Sequence, residues 1–197
     1  MTPERKYEIS ALDLSGSRYT VEQTGQDENF RPEYEASDAA GDTLFSGVYN
    51  MYQDESEFPL VDTGGNEIAT VKASGTWDVA GDYLLTDGRT GEDVVVLDND
   101  LSLLQDTWRI RDPDDGSLLA EIDSRGALVT VGRKLLPFGQ WIAHEYEITD
   151  PDGDPVGTIT GEFSILDRYE IEIDDPGSVP TDPVVVGAMV IDAIQGN

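Results

Sequence analysis

Cysteine is absent from this chain, and cations are scarce: twelve lysines and arginines, only three of them lysine, and one histidine stand against 41 acidic residues in a length of 197. Without cysteine there can be no disulfide, thiolate metal site or cysteine nucleophile. His144, the lone histidine, cannot build a histidine-based metal site. It stands beside Glu145 with no evident serine partner, so it makes no triad. No cluster of Lys and Arg is present for phosphate contacts, which excludes nucleic acid as a partner. A general attraction to anionic lipid needs polybasic segments, and the overall balance opposes it. Long apolar runs are missing too. The longest, Val184 to Ile191, falls well short of the ~20 residues of a spanning helix, so any membrane contact would be peripheral rather than integral. Met1 to Tyr7 contains no apolar stretch, so no secretory signal is read and a cytoplasmic location is expected. No catalytic signature occurs either; the expectation is a protein that is not an enzyme and uses no cofactor.

What is abundant is acid. The formal charge is −29 with a pI near 4.1, and the acids are spread along the chain rather than gathered in one tail. Such a charge keeps a protein soluble but destabilises its compact state by self-repulsion. Screening is short enough to relieve that repulsion in molar salt, where the Debye length is about 3 Å. The composition is therefore that of a salt-loving, salt-in organism, a haloarchaeal type. A self-repelling surface also favours a monomer.

A strand-and-turn phrase recurs along most of the length. An aromatic stands four residues before an Asp, an aliphatic or small residue two before it, and a Gly three or four after it. The copies are Tyr34-x-Ala36-x-Asp38 with Gly41, Phe58-x-Leu60-x-Asp62 with Gly65, Tyr83-x-Leu85-x-Asp87 with Gly91, Trp108-x-Ile110-x-Asp112 with Gly116, and Tyr146-x-Ile148-x-Asp150 with Gly153. A sixth, looser copy runs Tyr169-x-Ile171-x-Ile173-Asp174 with Gly177. Alternation at period two marks a half-buried strand. Asp followed by Gly is turn chemistry, because Asp bonds its own backbone and Gly accepts positive φ. After the Gly, Ile68-Ala69-x-Val71, Leu119-Ala120-x-Ile122 and Val156-Gly157-x-Ile159 sit in register, while Leu44-Phe45-x-Gly47 drifts furthest. Each copy is one β-hairpin. Two more strands are expected over Tyr7–Leu14 and Arg18–Gln23, giving about a dozen antiparallel strands in all.

The tail argues for closure. Asp182-Pro183 predicts a helix start, with Asp as N-cap and Pro at the first helical position. The residues that follow, Val184 to Ile194, are apolar on nearly every side, and a helix of that kind must be buried on every side. A closed barrel can hold one central helix. The expected fold is mainly β: a single domain over residues 1–197, a closed antiparallel barrel of about twelve strands around a helix at about 182–195. A two-sheet sandwich is the alternative.

With its repeats and its tail, notably Tyr146 to Gly153, Arg168 to Ile173 and Val184 to Ile194, the chain resembles the LURP-one-related family, within the superfamily of tubby C-terminal-like and phospholipid scramblase-like domains. The resemblance covers about Tyr7 to Ile194 and implies a twelve-stranded barrel wrapped around a hydrophobic C-terminal helix. It carries no reaction. It implies a non-enzymatic binding or scaffold protein whose ligand is a small molecule, a lipid or another protein. The alternative is a peripheral, lipid-binding or scramblase-like protein. Nothing here matches the basic head-group site of tubby domains. The acidic calcium-binding stretch that scramblases carry before their last helix has an echo in Asp174, Asp175 and Asp182, the weak candidates for a metal.

One interval breaks the period: turn Asp positions fall 24, 25, 25, 38 and 24 residues apart. The long gap contains Ser124 to His144, without a single acid. Arg133 and Lys134 stand there beside Leu135, Leu136, Phe138 and Trp141. This is either a ligand- or membrane-touching patch, apolar with a basic rim, or a short helix or long hairpin plugging one barrel mouth. Asp150-x-Asp152-x-Asp154 opens like a calcium loop, but Pro155 and Gly161 occupy the positions where an EF-hand needs Gly and Glu, so a turn is expected.

Overall fold

The computed structural model describes residues 7–50, 57–74, 82–101, 106–124, 145–162 and 167–195. Twelve strands and one helix follow in order: β1 Arg18–Gln26, β2 Pro32–Asp38, β3 Thr43–Val48, β4 Glu57–Val61, β5 Glu67–Ser74, β6 Asp82–Asp87, β7 Asp93–Leu101, β8 Asp106–Arg111, β9 Leu118–Ser124, β10 Glu145–Thr149, β11 Pro155–Glu162, β12 Arg168–Ile173 and α1 Thr181–Gln195. Each strand pairs antiparallel with its sequence neighbours, and β1 closes on β12 with Arg18 opposite Glu172 and Val21 opposite Tyr169. The sheet is a closed barrel without a free edge.

The period-two alternation sends the repeated aromatic and aliphatic positions inward. Tyr34, Phe58, Trp108 and Tyr146 are buried, as are Leu60, Leu85, Ile110, Ile122 and Ile148. Every residue from Thr181 to Ala193 is buried, so α1 fills the lumen and is enclosed on all sides. It packs closest against β1, β2 and β12, and reaches β7 across the barrel. Each fully buried Val, Ile or Met of α1 contributes about 1.5–3 kcal/mol.

Five hairpin turns sit at one end of the barrel, and each has the repeat's Gly at positive φ: Gly41, Gly65, Gly91, Gly116 and Gly153. The preceding Asp organises each turn. In three of them, Oδ1 of Asp38, Asp62 or Asp150 accepts the amides two and four residues on, at 2.8–3.0 Å. In the two longer turns, Oδ1 of Asp87 or Asp112 accepts the amides two and three residues on. The spacing of Asp to Gly, three or four, is thus the difference between two turn lengths. The drift at Gly47 is also structural. A Cβ there would lie 2.5 Å from the Phe58 ring and 2.9 Å from the Leu60 side chain, so these two side chains occupy the space a larger residue would need.

Three expectations are corrected. Tyr7–Leu14 is not a strand: its amides are used by carboxylates instead of a sheet partner, and it lies as a strap across the tight-turn end. The sixth copy supplies only β12; Gly177 is not left-handed, and the chain turns through Asp174–Pro180 into the lumen. The helix begins at Thr181, so Asp182 lies within its first turn rather than before it, and Pro183 is still tolerated there.

Candidate functional site

The two barrel ends differ in kind. At the tight-turn end the strap is pinned by three buried carboxylates. The Tyr7 hydroxyl donates to Asp112 Oδ2 at 2.5 Å, the Ile9 amide to Asp182 Oδ2 at 3.0 Å and the Ser10 amide to Asp87 Oδ2 at 2.5 Å. Burial would raise the Asp87 carboxyl, but hydrogen bonds from Ser10, Thr90 and Arg89 outweigh it and hold the group below its usual range. Ile9 and Leu14 enter the core beneath. Beside the strap lies an apolar cleft of about 340 Å³, edged by Tyr7, Leu119, Pro151, Pro176, Val179 and Pro180.

The weak metal candidates are not gathered into a site. Asp182 turns inward to the strap. Asp174 and Asp175 are exposed; Asp175 accepts the Ser178 hydroxyl at 2.6 Å and the Gly177 amide at 3.2 Å. Among the described residues no group of three or more His, Asp or Glu could hold a metal ion. In the Asp150 turn, Oδ1 is occupied by the amides of Asp152 and Asp154, both at 2.9 Å. Arg133, Lys134, Leu135, Leu136, Phe138 and Trp141 lie outside the described residues. Their flanks, Ser124 and Glu145, end β9 and begin β10 at the barrel end opposite the tight turns.

That opposite end holds a group the sequence reading did not single out. Asp192, near the end of α1, is buried and accepts hydrogen bonds from the Tyr34 and Tyr169 hydroxyls. Burial, with the nearby Asp167 charge, pushes its carboxyl up to about 6 despite those bonds. The same burial and the Asp192 charge drive both tyrosines well above their ordinary range. The signal was a single acid inside an apolar tail. Tyr34 and Tyr169 are the repeat's own aromatic positions, so the belt that lines the lumen also supplies the donors for its one deep charge from α1's last turns. Tyr34 and Tyr49 each stack edge-on to Phe58, with centroids 5.7 Å apart.

The outer wall of β11, β12, β1 and β2 is concave and polar, enclosing about 790 Å³. Arg18 reaches Glu172 at 2.7 Å, and Arg168 lies 3.7 Å from Glu170 and 3.9 Å from Glu22. These are exposed or half-exposed pairs, one within β12 and the others between neighbouring strands, of the kind that contribute little to stability. Both clefts therefore lie outside the filled lumen.

No helix among the described residues is long and apolar enough to cross a membrane, which leaves the strands out of account. Comparison with curated proteins finds no match. A protein of Arabidopsis thaliana known from an X-ray structure shares the fold: 9% identity, 96% of this chain and 98% of that one covered, TM-score 0.52. The family model for LURP-one-related proteins matches residues 33–192. That span runs from the first repeat copy to Asp192 in the central helix, and on it this chain belongs to the LURP-one-related family.

Proposed function

We propose that this protein is a non-enzymatic binding or scaffold protein that works from the rims and outer wall of its barrel. One observation carries the reading: the lumen, where a barrel would hold a small ligand, is occupied by α1, whose Val184, Val185, Val186, Met189 and Ala193 have no exposed surface. Membership of the LURP-one-related family is in keeping with it, because the match brings no reaction with it. The buried acids serve structure. Asp87, Asp112 and Asp182 hold the strap, and Asp192 faces two tyrosines.

The competing reading is a peripheral membrane protein acting on lipids. Charge argues against it, because −29 opposes anionic headgroups at low salt. Flotation with phosphatidylglycerol–phosphatidylcholine vesicles, with and without calcium and at low and multimolar KCl, separates the two. The protein is expected to stay with the unfloated fraction throughout. Co-flotation in any of these conditions would replace the rim-binding reading with the lipid one.

A further inference from the structure

The β1–β2 connection, at the end opposite the tight turns, repeats their geometry with one substitution. Asp27 Oδ1 accepts the Asn29 and Arg31 amides, both at 2.9 Å. The Phe30 amide donates to the Asp27 carbonyl at 3.0 Å, and the Asp27 amide to the Arg31 carbonyl at 2.9 Å. Those are the four bonds of the Asp38, Asp62 and Asp150 turns, in the same order. In those turns the fourth residue is Gly41, Gly65 or Gly153, at φ +86°, +79° and +86°. Here it is Phe30, at φ 63°.

A bulky side chain at positive φ is a genuine outlier, and this chain shows three times what the turn accepts without cost. Packing does not explain the exception, because Phe30 is 72% exposed. Among the described residues no other large apolar side chain stands exposed. A single exposed apolar residue needs no account by itself; one held in a strained backbone, with no burial in return, does. The loop is also braced. The Arg31 guanidinium bonds Asp27 Oδ2 at 2.6 and 2.8 Å and holds that carboxyl down at about 2. The aromatic ring is thus presented on a fixed mount.

We propose that Phe30 is the anchor of a protein–protein contact, inserting into an apolar recess rimmed by basic residues on a partner protein. The recess follows from the shape: one ring projecting from a rigid hairpin matches a pocket, the arrangement in which a few buried side chains dominate an interface. The basic rim follows from charge, since Glu28, two residues before Phe30, is exposed and the chain is strongly acidic. A lipid surface fits less well. One ring is a single weak signal where stable anchoring takes two, and the neighbouring acid is repelled by anionic headgroups. A second copy of this chain fits less well too, because its surface carries the same sign and its apolar cleft includes Glu8.

The inference rests on the rim-binding reading, and the test separates the two. Photoreactive p-benzoylphenylalanine is placed at position 30, and in a second version at Ala40, an exposed turn residue at the other end, with irradiation in the native cells. Position 30 is expected to give a protein adduct whose crosslinked peptide holds apolar residues with Lys or Arg. The partner so identified, once purified, should bind the wild-type protein and lose at least about thirty-fold in affinity to Phe30→Gly. The same variant should unfold about 2–4 °C higher, because Gly suits the turn. Loss of binding in a better-folded protein cannot be misfolding. Adducts to lipid or to another copy, no adduct at position 30, or unchanged affinity in Phe30→Gly would overturn the proposal. A protein adduct from Ala40 alone would overturn it while leaving the rim-binding reading intact; no protein adduct from either position would count against both.

Discussion

Asp192 shows how a single residue departs from its repeat context. It is a carboxylate in the last turns of a helix whose middle, Val184 to Ile191, is apolar, and the chain accommodates it with two tyrosine hydroxyls. Those hydroxyls do not fully offset the burial, since the group is raised to about 6. An acid whose folded value lies above its unfolded value of about 3.9 binds more protons in the folded state between the two. Its contribution is least unfavourable below about pH 4, worsens as pH rises to about 6, and is level above that. A rise of that size corresponds to about 3 kcal/mol. Asp192→Asn is therefore expected to be more stable than wild type above pH 6 by about 1–3 kcal/mol, with the gap closing toward pH 4. Denaturant unfolding across that range measures it; a gap that does not change with pH would mean the carboxylate is not titrating in the core. Asp38, Asp62, Asp87, Asp112 and Asp150 resemble ligands one at a time and were legible as turn residues only because the phrase repeats. Asp192, by contrast, occurs once, and so does Phe30. The sequence frame Asp27-x-x-Phe30-x is that of the turns with Gly replaced, which hides it from any search for Asp and Gly.

At the level of elements, the hairpins were readable because period-two alternation and turn chemistry agree in each copy. The helix was readable from the breadth of its apolar surface. The strap was not. Tyr7 and Ile9 alternate like a strand, but the acceptors that claim this segment come from two turns and the central helix, 77 to 173 residues away, and periodicity carries no information about them. The segment at Ser124–His144 stands where the sequence pattern is weakest, and its candidate residues fall outside the described ones. The helix carries the sharpest expectation. Val190 is 2% exposed, and an aspartate there would bury a further charge close in sequence to Asp192. Val190→Asp should prevent folding, losing the cooperative transition in circular dichroism; a variant that melts like wild type would show that the helix does not need the lumen.

For the whole molecule, the relevant fact is that the barrel brings its own filling. Twelve strands of hairpin repeats close a cylinder, and the same chain returns through Asp174–Pro180 to occupy it. That leaves a chain of formal charge −29 with two unlike ends: one sealed by tight turns and a strap, the other carrying Phe30 and the start of the long β9–β10 connection. The claim that binding belongs to the rims depends on α1 staying in the lumen in the native ensemble. Hydrogen exchange read by mass spectrometry in multimolar KCl, where the charge is screened, tests it directly. Amides of Val184–Ala193 should exchange only through global unfolding, as slowly as the strand amides around them. Exchange of α1 well ahead of the strand amides would contradict the account, since the helix would then leave the barrel open to a ligand.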